Sequence, residues 1–252
     1  MMCKPRPHLL SLALLVTFLA GDVTIAQSQT ATAPPPAAAS PTVNAPFRDP
    51  KLDAQSWAEK FEGESREVFN ARQAVLAAVD LKPGAKIADV GAGTGLFTAL
   101  FASAVGDEGW VYAVDIAPRF VEFIATRAAK AGLANITPVL CTERSTNLPP
   151  ACVDVVFVCD TYHHFEHPTE TLASIRRALR PGGRLVIVDF VREEGVSSEW
   201  TLGHVRAGQA VVTSEIEAAG FKPPSQLQVR GLRENYMLVF EKSPDDDSAA
   251  GE

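Results

Sequence analysis

Three glycines spaced two residues apart form the first segment of the sequence that could bind a ligand. They lie in IADVGAGTGLFT, residues 87–98, and Asp89 precedes the first of them by two positions. The loop alternates glycine with small side chains: Gly91, Ala92, Gly93, Thr94 and Gly95. A glycine-rich turn between a strand and a helix lets a ligand approach the backbone, where N–H groups at the helix N-terminus favour an anionic group. Three glycines exceed what a tight turn requires, so the segment predicts a binding loop.

Two classes of ligand compete for such a loop. A dinucleotide site has the spacing G-x-G-x-x-G, with a pyrophosphate over the start of the helix. Here the third glycine, Gly95, comes one residue early, and Leu96 occupies the position where the dinucleotide pattern has glycine. The carboxylate of Asp89, two residues before the loop, suits a ligand with a cationic ammonium group. The spacing therefore disfavours a nicotinamide cofactor.

A second acidic residue ends the next apolar run. Asp115 lies in GWVYAVDI, residues 109–116, and follows Gly95 by 20 residues. A carboxylate can accept two hydrogen bonds side by side, which suits the two hydroxyl groups of a ribose. The alternative is a solvated carboxylate at a strand end.

A histidine-rich segment follows another apolar run. DTYHHFEHP, residues 160–168, contains His163 and His164, and either imidazole could act as a general base near neutral pH. The alternative is that one ring caps the following helix and the other packs in a polar turn. His204 and Tyr236 are further candidates for a catalytic role.

Strands and helices that would position these residues alternate along the chain. Apolar runs predict strands at 86–91, 109–116, 135–141, 153–160, 184–190, 225–231 and 235–242. Amphipathic runs predict helices at 64–81, 96–106, 118–132, 167–183 and 204–221. Strands that are apolar on both faces are buried on both faces, which predicts a doubly wound α/β fold: a mostly parallel, seven-stranded sheet covered by helices. The last two strands are expected to form an antiparallel hairpin.

Ligands bind beyond the carboxyl ends of the strands in such sheets, where the strand order reverses. The candidate residues follow predicted strands: Gly91, Asp115, Thr142 and Asp160. The sequence therefore predicts one site at this edge of the sheet.

Four segments together resemble the class I S-adenosylmethionine-dependent methyltransferases. DVGAGTG resembles the first motif of that family, and VYAVDI resembles its second strand with the acidic end. LPPACVDVVFVCDTYHHFEHP resembles the fourth-strand region, and ALRPGGRLVIVDF resembles the helix, turn and strand that follow. The resemblance covers residues 82–242 and implies the Rossmann-like fold of the family.

The resemblance implies S-adenosylmethionine as the cofactor and assigns contacts to it. Asp89 would face the amino group of the methionine part, and the backbone of residues 91–95 would run beneath the cofactor. Asp115 would accept hydrogen bonds from the ribose hydroxyls, and Ile116 would pack against the adenine.

Two positions in the resemblance concern the adenine amino group and the methyl donor. Many relatives carry an aspartate after the third strand, but this sequence has Cys141, Thr142 and Glu143 there, so Thr142 or Glu143 would take its place. Asp160 and Thr161 would line the pocket of the methyl donor.

The predicted function is methyl transfer from S-adenosylmethionine to a small molecule. Such a transfer is an in-line displacement in which the protein aligns the nucleophile with the methyl group and excludes water. Residues 160–168 lack the Asn/Asp-Pro-Pro-Tyr pattern of many amino-group methyltransferases. They resemble the HHF stretch of small-molecule methyltransferases, including quinone-ring and arsenic-methylating relatives. The alternatives are a catalytically inactive S-adenosylmethionine-binding protein and a nicotinamide-dependent oxidoreductase.

The cysteines disfavour the arsenic chemistry and a cysteine-based metal site. Cys141, Cys152 and Cys159 lie in the predicted domain, and no C-x-x-C pair or zinc-binding pattern is present. Arsenite methyltransferases need several reactive thiols, so this sparse set argues against that subclass. No metal site is expected from the sequence.

Both ends of the chain predict segments outside the domain. A basic start, the uncharged run LLSLALLVTFLAG and small residues before Ala26 are typical of a secretory signal peptide. That run is shorter than the roughly 20 residues of a membrane span, so no stable span is expected after cleavage. The expected divisions are a signal peptide at 1–26, a disordered Pro/Ala-rich linker at 27–46, a methyltransferase domain at 47–242 and a disordered acidic tail at 243–252.

The net charge and the predicted export limit the classes of partner that are expected. The formal net charge is −7, and removal of residues 1–26, with Lys4, Arg6 and Asp22, leaves −8. Nucleic acid is therefore not expected as a partner, and a small-molecule substrate is. The signal peptide predicts export, to the periplasm of a bacterium, whereas S-adenosylmethionine is made in the cytosol.

Overall fold

Seven strands form one sheet in the computed structural model, which describes residues 1–2, 43–63 and 66–243. The strands are β1 (Lys86–Val90), β2 (Trp110–Asp115), β3 (Ile136–Leu140), β4 (Val153–Cys159), β5 (Leu179–Phe190), β6 (Ser225–Leu227) and β7 (Asn235–Glu241). Their order is β3-β2-β1-β4-β5-β7-β6. Strands β1 to β5 pair in parallel, while β7 pairs antiparallel with both β5 and β6. The doubly wound, mostly parallel fold and its C-terminal hairpin are therefore confirmed. The described residues from Val43 onward belong to one unit, residues 36–252.

Alternating side chains of the central strands fill two cores, one on each face of the sheet. Val156 and Val158 of β4 pack into one core, and Val155 and Phe157 pack into the other. Because side chains point to opposite faces in turn, a strand buried on both faces has to be apolar throughout. This requirement explains the continuous run VDVVFVC of β4.

Eight helices cover the sheet within the described part of the chain. They are α1 (Ala54–Phe61), α2 (Glu67–Asn70), α3 (Arg72–Val79), α4 (Leu96–Val105), α5 (Pro118–Ala131), α6 (Pro168–Ala178), α7 (Glu199–His204) and α8 (Gln209–Ala218). Helix α5 begins at Pro118, where the missing N–H costs nothing, and ends at Gly132 in the left-handed conformation with φ of 69°.

Two predicted helices are interrupted. The prediction of one helix at 64–81 is wrong, since α2 and α3 occupy that region with Ala71 between them. The Arg72 guanidinium donates to the carbonyl oxygen of Phe69 at 2.7 Å. In a continuous helix, the backbone amide of residue 73 would donate to this oxygen instead. The prediction at 204–221 is also wrong, since α7 ends at His204 and α8 begins after Gly208.

The predicted helix at 167–183 is too long at its C-terminal end. Helix α6 ends at Ala178, and Leu179 already has extended backbone and pairs with Val153. Leu179 is fully buried, so sheet pairing and core packing take this residue out of the helix.

Described residues before the predicted domain boundary at Phe47 also pack against the domain. Residues 45–48 form a 3-10 helix, Ala45–Arg48, and Asn44 before it is 5% exposed. Asn44, which the sequence assigns to the linker, therefore packs onto the domain. The predicted signal peptide beyond residue 2, linker residues 27–42 and tail residues 244–252 lie outside the described residues. Within the described residues, no helix has the length and apolarity to cross a membrane.

Candidate functional site

The glycine loop lies against the residue that follows β4. Gly91 has φ of 73°, and a Cβ atom there would lie 2.1 Å from Cγ2 of Thr161. The Thr161 hydroxyl donates to the carbonyl oxygen of Cys159 at 2.8 Å, which fixes the side chain in this position. Both the backbone conformation and the close approach therefore require glycine at position 91.

Gly95 has a different role from the one the sequence suggests. It caps the start of α4 with φ of 87°, and a Cβ atom there would lie 3.1 Å from Cγ1 of Ile124. Gly95 therefore permits close packing of α4 against α5 and does not line the cavity described below.

Asp115 ties the glycine loop to the end of β2. One carboxylate oxygen accepts from the amide of Gly93 at 2.7 Å, and the other accepts from the amide of Ala117 at 2.8 Å. Burial raises the pKa of this carboxyl to about 6, against the lowering effect of these amides. Each oxygen keeps a second lone pair, so the group can still accept hydrogen bonds from a ligand.

Asp89 is a buried carboxylate on β1, next to the loop. It is 3% exposed and accepts from the Thr98 hydroxyl at 2.6 Å. Burial raises its pKa to about 7, and the nearby Asp115 adds to the rise. A ligand that places a cation beside Asp89 would favour the ionised form.

A cavity of about 500 Å³ opens at this edge of the sheet. The predicted site residues that line it are Asp89, Gly91, Ala92, Gly93, Thr94, Asp115, Ile116, Thr142, Glu143, Asp160, Thr161, His163 and His164. Its volume lies in the range of small-molecule pockets. The fold thus brings together every predicted site residue except Gly95, and β1 and β4, where the strand order reverses, carry the centre of the site.

Asp160 is held by two residues that sequence reasoning missed. It has a left-handed backbone with φ of 47°, forms an ion pair with Arg66 and accepts from the Asn235 amide at 2.6 Å. Burial raises the pKa of Asp160, and the positive charge of Arg66 offsets part of that rise. Asn235 begins β7, so no local pattern of the sequence indicates that it meets Asp160.

His163 and His164 form a short 3-10 helix with Tyr162, and each ring has an oxygen partner. Nδ1 of His163 lies 2.7 Å from a carboxylate oxygen of Asp189, and Nδ1 of His164 lies 3.1 Å from Oδ1 of Asn44. Burial lowers the pKa of His163, but the Asp189 carboxylate outweighs it and the net change is upward. Burial and the neighbouring histidines lower the pKa of His164 to about 3.

The two weaker catalytic candidates separate in the structure. His204 lines the cavity and stacks on Trp200, with ring centroids 4.6 Å apart. Tyr236 is 4% exposed and does not line the cavity, so the structure does not place it at the site.

An aromatic wall, defined as Phe47, Trp57, Phe61 and Phe120, closes part of the cavity. The ring centroids of Phe47 and Phe61 each lie 5.1 Å from that of Trp57. The centroid of Phe120 lies 6.0 Å from that of Phe47 and 6.1 Å from that of Phe61. Sequence reasoning missed this wall, although the aromatic residues in FRDPKLDAQSWAEKF were a signal for a helix with an apolar face.

Comparison with known proteins finds similarity to methyltransferases. Residues 88–187 match the model of a methyltransferase domain. A segment of 116 residues is 34% identical to the ubiquinone/menaquinone biosynthesis C-methyltransferase UbiE of Burkholderia mallei, over 46% of this chain and 47% of that protein. The chain thus matches about half the length of these curated relatives. A solved S-adenosylmethionine-dependent methyltransferase from Aquifex aeolicus is 27% identical, with a TM-score of 0.67 over 77% of this chain and all of that one. These matches support a class I S-adenosylmethionine-dependent methyltransferase domain in this chain.

The fold alone does not define a reaction. The [4+2]-cyclase SpnF is 18% identical, with a TM-score of 0.58 over 68% of this chain and 80% of that one, so this likeness shows a shared fold only.

The residues at the loop fit S-adenosylmethionine, the cofactor of the family. Asp89 and Asp115 are buried acids on the cavity wall, and burial raises the pKa of both, so further partners would favour the ionised forms. An ammonium group beside Asp89 and ribose hydroxyls at Asp115 would supply such partners. Gly91 and Gly93 expose backbone to the cavity without side chains in the way.

Proposed function

We propose that the chain is a methyltransferase that moves a methyl group in line from S-adenosylmethionine to a small-molecule acceptor. One observation carries the proposal: the same cavity is lined by the acids Asp89 and Asp115 beside the glycine loop and by the histidines that follow β4. S-adenosylmethionine supplies a methyl group on a sulfonium, which is already a good leaving group. The protein therefore has to bind, align and exclude water.

Each part of the cavity has a separate task in this proposal. Asp89 holds the ammonium group, and Asp115 accepts from the ribose hydroxyls while it keeps the glycine loop in place. Asp160, fixed by Arg66 and Asn235, keeps a carboxylate at the end of β4, and Thr161 supports the loop at Gly91.

A planar, ring-containing acceptor suits the aromatic wall. Phe47, Trp57 and Phe61 present ring faces and edges, which pack well against another ring. The UbiE relatives are named as C-methyltransferases of ubiquinone and menaquinone biosynthesis, and the rings of quinols have this planar shape. The general-base role of His163 and His164 stays a prediction.

Calorimetric titration of the full chain tests cofactor binding. S-adenosylmethionine and S-adenosylhomocysteine should bind with Kd values of about micromolar order, and NAD should not bind. Asp115→Ala should weaken both by about 100-fold, because it removes the ribose acceptor and loosens Gly93. Asp107→Ala, at an exposed acid away from the cavity, is the matched control and should bind as the unaltered chain does.

Methyl transfer to a panel of phenols and quinols, with labelled S-adenosylmethionine, tests the reaction. Turnover lost in Asp115→Ala would support the enzyme. Tight S-adenosylmethionine binding without turnover on any acceptor would favour the inactive binding protein instead. A folded chain that binds neither methionine derivative would refute the proposal, and NAD binding would revive the oxidoreductase alternative.

Export stays part of the proposal. The expected signal peptide predicts a mature chain that begins at Gln27 in the periplasm of a bacterium. Fractionation with mass spectrometry of the N-terminus tests this, and a cytosolic chain that retains residues 1–26 would contradict it.

A further inference from the structure

Three imidazole rings meet at one wall of the cavity. His163 and His164 lie in the turn after β4, and His204 ends α7. One ring nitrogen from each lies within 4.8 Å of the others. Three neutral imidazoles around one point are a ligand set for a divalent transition metal, and catalytic zinc sites use such a set with a fourth position left open.

In two of the three histidines, Nδ1 has an oxygen partner, which leaves Nε2 as the nitrogen that can bind a metal. Asp189 is held by the amides of His163 and Phe190, at 3.1 and 2.8 Å, and an ionised carboxylate only accepts. Nδ1 of His163 is therefore the donor to Asp189, and in the neutral ring Nε2 carries the lone pair. A histidine ligand whose other nitrogen donates to a carboxylate is the usual arrangement around protein-bound metals.

Asn44 fixes the second ring in the same way. Its amide nitrogen donates to the carbonyl oxygen of His164 at 2.9 Å and to Glu166 at 2.7 Å. The remaining atom, Oδ1, accepts, so Nδ1 of His164 donates to it and Nε2 again carries the lone pair.

Spacing of the rings fits a tetrahedral ion. The centroids of His163, His164 and His204 are 4.4, 5.2 and 5.1 Å apart in pairs. Three imidazoles bound at about 2.1 Å in tetrahedral geometry have ring centroids about 5 Å apart. The ring nitrogens, which now lie within 4.8 Å of one another, have to move closer together to bind one ion. Stacking on Trp200 keeps His204 at the wall.

We propose that His163, His164 and His204 bind a divalent transition metal ion, Zn²⁺ in the first place, with one position open to the cavity. In this arrangement His163 and His164 are ligands and not bases. The role of the ion, which rests on the proposed methyl transfer, is to bind the hydroxyl or thiol of the acceptor. An acceptor bound there loses its proton to water more readily, because the ion lowers the pKa of the group it holds.

Metal titration of the full chain, produced without a histidine tag and stripped with chelator, tests the site. Zn²⁺ measured by calorimetry should bind at one equivalent per chain, and Co²⁺ should give the visible absorption of a tetrahedral ion. His204→Phe keeps an aromatic ring on Trp200 but removes a ligand, and should weaken Zn²⁺ binding at least 100-fold. Asp189→Asn, which acts only through His163, should weaken it about 10- to 100-fold. His167→Phe is the matched control, because this histidine lies beside the turn but outside the cluster.

The outcomes separate this inference from the proposed function. Equal Zn²⁺ affinity in the unaltered chain, His204→Phe and His167→Phe would overturn the metal site, as would Zn²⁺ binding that is lost in Cys159→Ser instead. S-adenosylmethionine titrated into the same samples reports whether the cofactor site is intact in each variant. Zn²⁺ binding without S-adenosylmethionine binding would refute the proposed function and leave the metal site standing.

Discussion

Asp89→Asn should stabilise the ligand-free domain at neutral pH and at the same time weaken its affinity for S-adenosylmethionine. Asparagine keeps an oxygen that can accept from Thr98, but it removes an ionisable group that is 3% exposed. The pKa of Asp89 rises from 3.8 to about 7 in the folded chain, so the folded state binds more protons than the unfolded state between these values. The free energy of unfolding therefore falls as the pH rises through this window.

The magnitude follows from the pKa. A rise from 3.8 to about 7 corresponds to about 4 kcal/mol at neutral pH, since one pH unit is worth about 1.4 kcal/mol. The stability difference between Asp89→Asn and the unaltered chain should thus grow by about 1.4 kcal/mol per pH unit between about pH 4 and about pH 7, and then level off.

Urea unfolding at a series of pH values, followed by tryptophan fluorescence, measures this difference. Asp107→Asn, at an exposed acid, is the control and should run parallel to the unaltered chain. A constant difference between Asp89→Asn and the unaltered chain across the series would refute the reasoning. Calorimetry adds a second readout: the affinity of the unaltered chain for S-adenosylmethionine should rise with pH up to about 7, and that of Asp89→Asn should rise less.

Two further substitutions test the loop and the end of β4. Gly91→Ala should destabilise the chain by about 2 to 4 kcal/mol, because it combines a left-handed alanine with a clash on Thr161. The control is Gly182→Ala, where φ is 72° and a Cβ atom would meet nothing within 4 Å, so only the cost of the left-handed backbone is expected. Equal melting temperatures of the two variants would contradict the clash. Arg66→Ala should destabilise the chain by about 1 to 3 kcal/mol, because Asp160 loses its ion-pair partner; the 30% exposure of the Arg66 side chain limits the loss. In urea unfolding, Arg66→Lys should recover part of this free energy. No recovery would contradict an effect of charge.

Much of the fold could be predicted because local patterns determine it. The runs of β1, β2, β4 and β5 are apolar on both faces, which only a covered sheet explains. The helix boundaries failed where tertiary contacts decide. Leu179, for example, leaves the helical pattern because it pairs with Val153 of β4.

The candidate site was predictable where it lies in one segment and hidden where it does not. The residues of the glycine loop are consecutive in the sequence, so the pattern is visible there. The histidine cluster does not, because His204 comes from a different element than His163 and His164, and no spacing rule joins them. The sequence around Asn44 is rich in proline and alanine, which predicts a linker. The Asn44 side-chain amide nevertheless donates to the His164 carbonyl oxygen and to Glu166, and these contacts hold the residue on the domain.

The contacts of the cavity join the two ends of the described chain, and this affects when the site can form during synthesis. Asn44 pairs with Glu166, which is 122 residues away, and Asn235 reaches Asp160 across 75 residues. The backbone amide of Asn235 donates to Glu67 across 168 residues. A chain that grows from its N-terminus makes α1 to α8 before β7, so Asp160 gains its Asn235 partner only after every helix has been synthesised.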